Sequence, residues 1–386
     1  MIFSGATKSA PTVKVDITGG VVDDSSIVSV EVSLAENKHD MATITYAGFP
    51  GLAVTDYKGL PVKVSIRSDS VNFLHFYGYV SYVEVESRTH AGIVNKSAIQ
   101  LAKVVCFGTS YQMKGLKSAS YKNITLPKLL ASISKKYNLS YSVPNNRLVF
   151  KLLTQTNQSD WEFLVSVCDS IGYAITASDA HLTVYDPSSS YHRGIASIPL
   201  STLLSDNGAD EKPGNVVDFT GYIGDVTPYG SSAGQTLKAL DIKGKLQSHT
   251  STTTSGLGRP FGQRFMDEIT VNAATKEELV SKTEGFAQKE WPLQADVTVL
   301  GVASATPGRL VNLNRYDSAF DMDWVIAEAT HFVTLSRYLT TLKLKTDSLN
   351  TSPRVDRAGK RFVAPPVPVL SAGNIWRSSV DVANVY

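Results

Sequence analysis

Between residues 12 and 107, six runs of alternating apolar and polar residues constrain this chain more than any other feature. Residues 12–18, 27–34 and 42–46 alternate first, and 60–66, 73–85 and 98–107 continue the pattern. Side chains along a strand point to opposite faces in turn, so a period of two predicts half-buried strands. Gly19-Gly20 and Asn37-Lys38-His39-Asp40 supply the turns between them. Six strands in roughly a hundred residues fold as one small barrel or sandwich.

The period then lengthens. Leu126, Leu129, Leu130, Ile133 and Tyr137 fall on one helical face, with Thr125 as N-cap, Pro127 in the first turn and Asn138-Leu139 at the end. A short strand is expected at 147–152. A second helix opens at Ser159 with Glu162 three residues on, the pattern of a capping box. Trp161, Leu164, Val165, Cys168 and Ile171 give that helix its apolar face, and Gly172 ends it. Residues 173–176 and 182–185 read as a hairpin turning at Ser178-Asp179-Ala180. These elements make a compact α+β unit of about 70 residues.

Strand signals resume at 215–220. Residues 247–258, rich in Ser, Thr and Gly, read as a mobile loop. Thr275-Lys276-Glu277-Glu278 is a second capping-box pattern, starting a helix to about Gln288 with Leu279, Phe286 and Ala287 on its face. Strands are expected at 295–300, 310–313, 324–333 and 338–345. Ala364-Pro365-Pro366-Val367-Pro368-Val369 favours an extended polyproline conformation. The fold class is therefore mainly β with an α+β insertion. The expected division is a first barrel at 1–117, the insertion at 118–190, a linker at 191–214, a second barrel with one helix at 215–348, and an extended tail at 349–386.

Composition excludes several functions. The 386 residues carry 37 Lys+Arg against 35 Asp+Glu, a net +2, which gives no bulk attraction to nucleic acid or anionic membrane. No uncharged apolar run of about 20 residues exists, so no membrane-spanning helix is expected. The first residues carry no basic flank or apolar run of a signal peptide, so synthesis and folding in the cytoplasm are expected. The asparagines of five glycosylation sequons, Asn95, Asn123, Asn138, Asn157 and Asn350, matter only on secretion from a eukaryote. Cys106 and Cys168 read as small buried hydrophobes, not a disulfide framework.

The chemical candidates are weak. No two of His39, His75, His90, His181, His192, His249 and His331 stand at metal-ligand spacing on a helix. Glu84 and Glu86 share a strand face, where a solvated pair is the ordinary outcome. Asp321-Met322-Asp323 lacks the Gly and distal Glu of a calcium loop. Gly256-Leu257-Gly258-Arg259-Pro260-Phe261-Gly262 does not have phosphate-loop spacing. Arg259, Arg264, Phe261 and Phe265 read as a protein-contact loop rather than a nucleic-acid site. No G-x-S-x-G or paired nucleophile and base is present. No catalytic residue, metal or cofactor is expected.

Three segments in order carry a family resemblance. Gln158-Ser159-Asp160-Trp161-Glu162-Phe163-Leu164, running on to Ile171-Gly172-Tyr173, resembles a segment shared by phage baseplate hub proteins and the hub part of type VI secretion spikes. The helix at 125–138 resembles the pattern ahead of that motif, with Asn138 in place of Gly. Pro307-Gly308-Arg309-Leu310-Val311-Asn312-Leu313 resembles a "P-G-x-x-v-x-l" strand, and 324–331, ending in His331, the "y-x-V-x-x-v-x-H" strand. Tyr338-Leu339-Thr340-Thr341-Leu342 is similar to the closing "g-Y-t-T" strand, with Arg337 where Gly is frequent. The motif residues are thus Ser159, Asp160, Trp161, Glu162, Leu164, Gly172, Pro307, Gly308, His331, Tyr338 and Thr341, all structural.

The resemblance covers roughly 120–346. It implies two tail-tube-like barrels flanking an α+β insertion, and a homotrimer that presents six barrels. Such a trimer joins a six-fold tube to a three-fold spike at the tail tip or baseplate and lines the closed end of the channel. Implied partners are a tail tube or distal ring protein, a spike, tip or fibre protein and the tape measure protein. DNA would only pass through the channel. The implied location is the virion, with assembly in the host bacterial cytoplasm. Two other readings are a glycan- or receptor-binding tail protein, with Phe73, Phe76, Tyr77, Tyr79 and Tyr82 lining a sugar groove, and a hub carrying a peptidoglycan hydrolase.

Overall fold

The computed structural model describes residues 11–18, 26–47, 57–67, 73–88, 99–144, 146–187, 198–201, 215–223, 234–241, 243–252, 266–287, 293–314, 320, 322–346, 354–355 and 361–362. The six alternating runs become β1 (Thr12–Ile17), β2 (Ile27–Ala35), β3 (Met41–Ala47), β4 (Pro61–Arg67), β5 (Phe73–Arg88) and β6 (Ile99–Gly108). They lie side by side as β1-β4-β5-β6-β3-β2. Val30, Val32, Ile44, Tyr46, Val64, Ile66, Val104 and Cys106 point inward and form one apolar core.

A 3-10 helix (Thr109–Lys114) leads out of β6 into the α+β unit. There β7 (Leu116–Thr125) pairs with β9 (Val149–Ser159) around α1 (Leu126–Lys136), and α2 (Asp160–Ser170) follows. β10 (Ala174–Ser178) and β11 (His181–Tyr185) form the expected hairpin, with β8 (Ser140–Ser142) parallel to β11. Asp179 and Ala180 both take positive φ in its turn, and Gly172 and Asn138 do so after their helices. Leu126, Leu129, Leu130, Ile133, Phe150, Trp161, Leu164 and Cys168 are buried together in this unit's own core. Thr125 occupies the N-cap of α1 as expected, but its side chain makes no capping bond; Pro127 in the first turn already removes one orphan donor.

A second set of strands follows: β12 (Ile198–Ser201), β13 (Val216–Ile223), then a detour, then β17 (Leu293–Leu300), β18 (Leu310–Asn314), β19 (Asp323–Thr334) and β20 (Tyr338–Thr346). Its order, β12-β18-β19-β20-β17-β13, repeats that of the first set strand for strand. The bulges coincide too. The long fifth strand shifts register against the sixth at Val80/Tyr82 in one set and Ile326/Glu328 in the other. The second strand shifts against the third at Ile27/Ser29 and Val216/Asp218. The sets differ in one direction: β1 is antiparallel to β4, whereas β12 runs parallel to β18.

Closed barrels were expected, and among the described residues neither set closes. β18 covers only Asp323–Val325 of β19. The open stretch Glu328–Thr334 pairs instead with Ser29–Ala35 of β2, so both sets join in one 12-stranded sheet.

Strands also fall inside segments read from sequence as linker, loop or tail. β12 lies inside the expected 191–214 linker. β15 (Leu246–Thr252) occupies the start of the expected 247–258 loop, paired with β14 (Gly234–Leu240), whose other edge pairs with β16 (Met266–Thr270). This detour also carries α3 (Lys276–Ala287), whose Leu279 packs on Leu237, Ala239 and Ala273. Only half of its capping box forms. The Thr275 hydroxyl accepts the Glu278 N–H at 3.2 Å, but the buried Glu278 carboxylate takes the Ala274 N–H at 3.1 Å and pairs with Lys282 at 2.9 Å. In the expected tail, β21 (Arg354–Val355) pairs with β22 (Arg361–Phe362). Residues 253–265, Asp321 and 363–386 lie outside the described residues. Among the described residues no helix is long and apolar enough to cross a membrane.

Candidate functional site

The motif residues do not converge on a pocket. Trp161, Gly172 and Gly308 sit at seams where one unit meets another, and the others lie within single units. At the start of α2 the capping box forms in full: the Ser159 hydroxyl accepts the Glu162 N–H at 3.1 Å, and the Glu162 carboxylate accepts the Ser159 N–H at 2.9 Å. Next in line, the Asp160 side chain is buried, yet it accepts from Lys117 Nζ and the Tyr137 hydroxyl, each at 2.8 Å, and from Gln155 Nε2 at 3.0 Å. Burial pushes the Asp160 carboxyl up, and those bonds with the Lys136 charge outweigh it, so it stays below the usual range. One carboxylate thereby ties β7, α1 and β9 to the N-terminus of α2, where the helix dipole also favours it.

Trp161 packs inward as expected, and its ring stacks on His39, centroids 5.3 Å apart. His39 belongs to the β2–β3 turn, and this turn is the site the sequence did not reveal. Asn37, at φ +60°, donates its N–H to the Ile175 carbonyl at 2.8 Å and accepts the Ile175 N–H on its side chain at 3.0 Å. Glu36 accepts the buried Tyr185 hydroxyl at 2.7 Å and pairs with Lys345 of β20. Lys38 pairs with Glu328 of β19 at 3.0 Å. His39 Nδ1 meets the Ser110 hydroxyl at 2.8 Å, and burial holds the imidazole below its ordinary pKa. Four consecutive residues thus bond to the α+β unit, the 3-10 helix and the second strand set. The sequence signal was a polar turn, which is also what an unengaged turn looks like.

Two glycines mark the other seams. Gly308, at φ +81° beside Pro307, lies over the Tyr185 ring, which a Cβ would meet at 2.7 Å. Gly285 of α3 presses on the backbone after α2, where a Cβ would stand 2.4 Å from the Ile171 carbonyl carbon and 2.5 Å from the Gly172 nitrogen. Gly172 is thus both a helix stop and a docking point.

His331 is buried on β19. Its Nε2–H donates to the Ala305 carbonyl at 2.9 Å, so Nδ1 is the acceptor for the Tyr338 hydroxyl, also at 2.9 Å. Burial lowers this imidazole to about 4. Tyr338 in turn covers Gly301. Thr341 faces the opposite side of β20 and meets the Thr298 hydroxyl at 3.2 Å. Leu164 is core. None of these groups is poised for proton or group transfer. Among the described residues no cluster of His, Cys, Asp or Glu is placed to hold a metal.

The fold has solved counterparts. A tail protein from Neisseria meningitidis MC58 superposes with a TM-score of 0.65 at 13% identity, over 88% of this chain and 97% of that one. The 43 kDa tail protein of prophage MuSo2 from Shewanella oneidensis gives 0.61 at 13% identity, over 87% and 98%. The chain has the phage tail hub fold. An Escherichia coli type VI secretion component, described as similar to the T4 tail proteins gp27 and gp5, gives 0.55 at 14% identity over 93% and 81%.

Sequence matches are local. Residues 79–197 match a family described as the Alg8 N-terminal domain, a stretch that starts inside β5 and runs through a different core. A tRNA (guanine-N(1)-)-methyltransferase from Lactobacillus helveticus is 30% identical over 113 residues, 27% of this chain and 47% of its own length. The counterpart from Lactobacillus johnsonii is 28% identical over 131 residues, 31% and 55%. The chain spans about half the length of the curated relatives it matches. The hub fold, by contrast, extends over both strand sets and the unit between them.

Proposed function

We propose that this chain is the structural hub of a phage tail tip or baseplate, with no catalytic activity. The observation that carries this reading is the match of nearly the whole chain to tail proteins, together with a twice-used strand order. In this reading 1–117 and 215–348 are two tail-tube-like units, 118–190 is an inserted α+β domain, 191–214 connects them and 349–386 is a tail that grips a neighbour. Three copies present six units, which lets a six-fold tube meet a three-fold spike and lines the closed end of the channel.

The neighbours are a tube or distal ring protein, a spike, tip or fibre protein and the tape measure protein, in a virion assembled in the host bacterial cytoplasm. Placement of Trp161, Gly172 and Gly308 where one unit meets another supports a load-transmitting role, since each sets how the units lie together. Mass photometry of the purified chain and counting of copies in isolated particles test the reading. Three copies per particle are expected; a chain absent from particles would refute it.

One observation favours glycan binding as a second reading. Phe76 is core, but Phe73, His75 and Tyr77 line up on the outer face of β5, with Arg67 and Lys63 over the Phe73 and Tyr77 rings. Glycan-array binding lost in Phe73→Ser would support it.

A further inference from the structure

Three strands of the first set present an outer face that the hub reading leaves unused. β1, β4 and β5 are antiparallel neighbours, and their outward residues fall into three cross-strand rows: Thr12–Arg67–Phe73, Lys14–Ser65–His75 and Asp16–Lys63–Tyr77. Alternate residues share a face, so the rows recur roughly every 6.5–7 Å. The β5 column is aromatic throughout, with ring centroids 6.1 Å apart from Phe73 to His75 and 6.5 Å from His75 to Tyr77. Polar groups of β4 stand beside each ring. Arg67 lies over the Phe73 ring and Lys63 over the Tyr77 ring, each 5.1 Å from the centroid, and the Ser65 hydroxyl meets His75 Nδ1 at 3.1 Å. Phe73 is still 46% exposed, Lys14 and Arg67 are exposed, and His75 and Tyr77 are half-buried.

The second strand set serves as an internal control. Counted from the matching bulges of β5 and β19, Tyr77 corresponds to Asp323, and its cross-strand partner Lys63 to Asn312. There the pair is a hydrogen bond, with Asn312 Nδ2 donating to the Asp323 carboxylate at 2.6 Å, and it holds no ring and no cation. The same two strand positions pair without an aromatic group, so the fold itself does not demand the cation–ring contact.

We propose that this face binds an acidic polysaccharide whose sugar rings carry carboxylates, a polyuronate, which rests on the glycan-binding reading above and names its ligand class. The C–H face of a sugar packs on aromatic rings, while its polar groups need placed hydrogen-bonding partners. A carboxylate on that sugar meets the Arg67 guanidinium beside Phe73 and the Lys14 ammonium one row on, and the guanidinium fork takes a carboxylate with two bonds. Charge is uneven along the face. Asp16 and Asp179 of the β10–β11 turn both act on Lys63, and Asp179 also acts on His75. The anion is therefore drawn to Arg67 and Lys14, and the two acids are left to accept sugar hydroxyls. A cation standing over the ring it shares a row with fits a ligand that carries charge and C–H face on one residue. That distinguishes a uronic acid from a polymer charged only at phosphate linkers.

Titration calorimetry of the full-length chain with oligogalacturonate tests this, beside a neutral malto-oligosaccharide of equal length and inorganic polyphosphate. Oligogalacturonate should bind about tenfold more tightly than the neutral oligomer, and added salt should weaken it. Lys14→Gln with Arg67→Gln should cost about tenfold for oligogalacturonate and leave the neutral oligomer unchanged, with circular dichroism checking that the fold is intact. Phe73→Ser should weaken both sugars. Equal affinity for the two sugars, both lost in Phe73→Ser, overturns the acidic ligand and leaves the glycan reading standing. Polyphosphate bound as tightly as oligogalacturonate overturns the carboxylate assignment. Failure of oligogalacturonate to bind also overturns the inference; a glycan-array signal lost in Phe73→Ser would then keep the glycan reading, and its absence would remove both.

Discussion

His331 offers the sharpest test of how the second strand set is held. Its imidazole is buried and held neutral, donating to Ala305 and accepting from Tyr338. Above pH 6.5 the histidine is neutral in the folded and the unfolded chain, and its contribution is fully present. As pH falls below 6.5 the unfolded chain binds a proton that the folded chain refuses, so stability declines until the folded value of about 4 is reached. From 6.5 to about 4, at about 1.4 kcal/mol per pH unit, the whole loss is on the order of 3 kcal/mol. At pH 5 about 2 kcal/mol should already be gone.

His331→Gln keeps a donor and an acceptor but cannot titrate. Urea unfolding followed by circular dichroism at pH 7.5 and pH 5 gives the comparison. The variant should be less stable at pH 7.5 by about 1–2 kcal/mol, the worth of imperfectly remade hydrogen bonds. Its own loss between the two pH values should be smaller than that of the natural chain by about 2 kcal/mol. The difference between variant and natural chain removes the contributions of other groups, such as His39, which burial shifts in the same direction. Equal pH dependence in the two proteins would refute the claim that a buried neutral histidine pins residues 301–308 to β19.

Gly285→Ala is a test of sign. On an unattached helix Ala gains about 1 kcal/mol over Gly, but here its Cβ would stand 2.4 Å from the Ile171 backbone, so a net loss of about 1–3 kcal/mol is expected; a raised melting temperature would show that α3 does not seat there. Trp161→Ala should cost about 3–5 kcal/mol as a cavity, read by thermal unfolding, and near-natural stability would contradict its place in the core of the α+β unit. Burial pushes both thiols, Cys106 and Cys168, up to about 12, so a thiol reagent should react with neither until urea unfolds the chain.

Much of this fold was legible because the outward face of a half-buried strand differs from its inward face. β3, β4, β17 and β20 alternate cleanly, and the Ser159–Glu162 box located α2 to the residue. The misses share a physical cause. β7 is exposed along most of its length, so no apolar period marks it. β14 buries Leu237 and Ala239, and the described residues of its partner β15 are exposed or half-buried. β12 has four residues and finds its partner more than a hundred positions away. Closure was misjudged for a related reason. Alternation says that a strand has a buried face, but it does not say which edge it will choose. Of the motif residues, the capping box and Gly172 could be assigned local roles from sequence. The partners of Trp161, Gly308 and His331 could not, because His39, Tyr185 and Tyr338 come from other elements.

The β2–β19 joint also sets a timetable for synthesis. Ser33 lies directly opposite Thr330, a separation of 297 residues. At roughly 5–20 residues per second, the ribosome needs about 15–60 s to produce the strand that β2 waits for. Throughout that time β2 carries a bare hydrogen-bonding edge that any other nascent copy could occupy. A truncated chain lacking β19 would keep that edge permanently, so C-terminal deletions should go to inclusion bodies rather than yield a soluble N-terminal half.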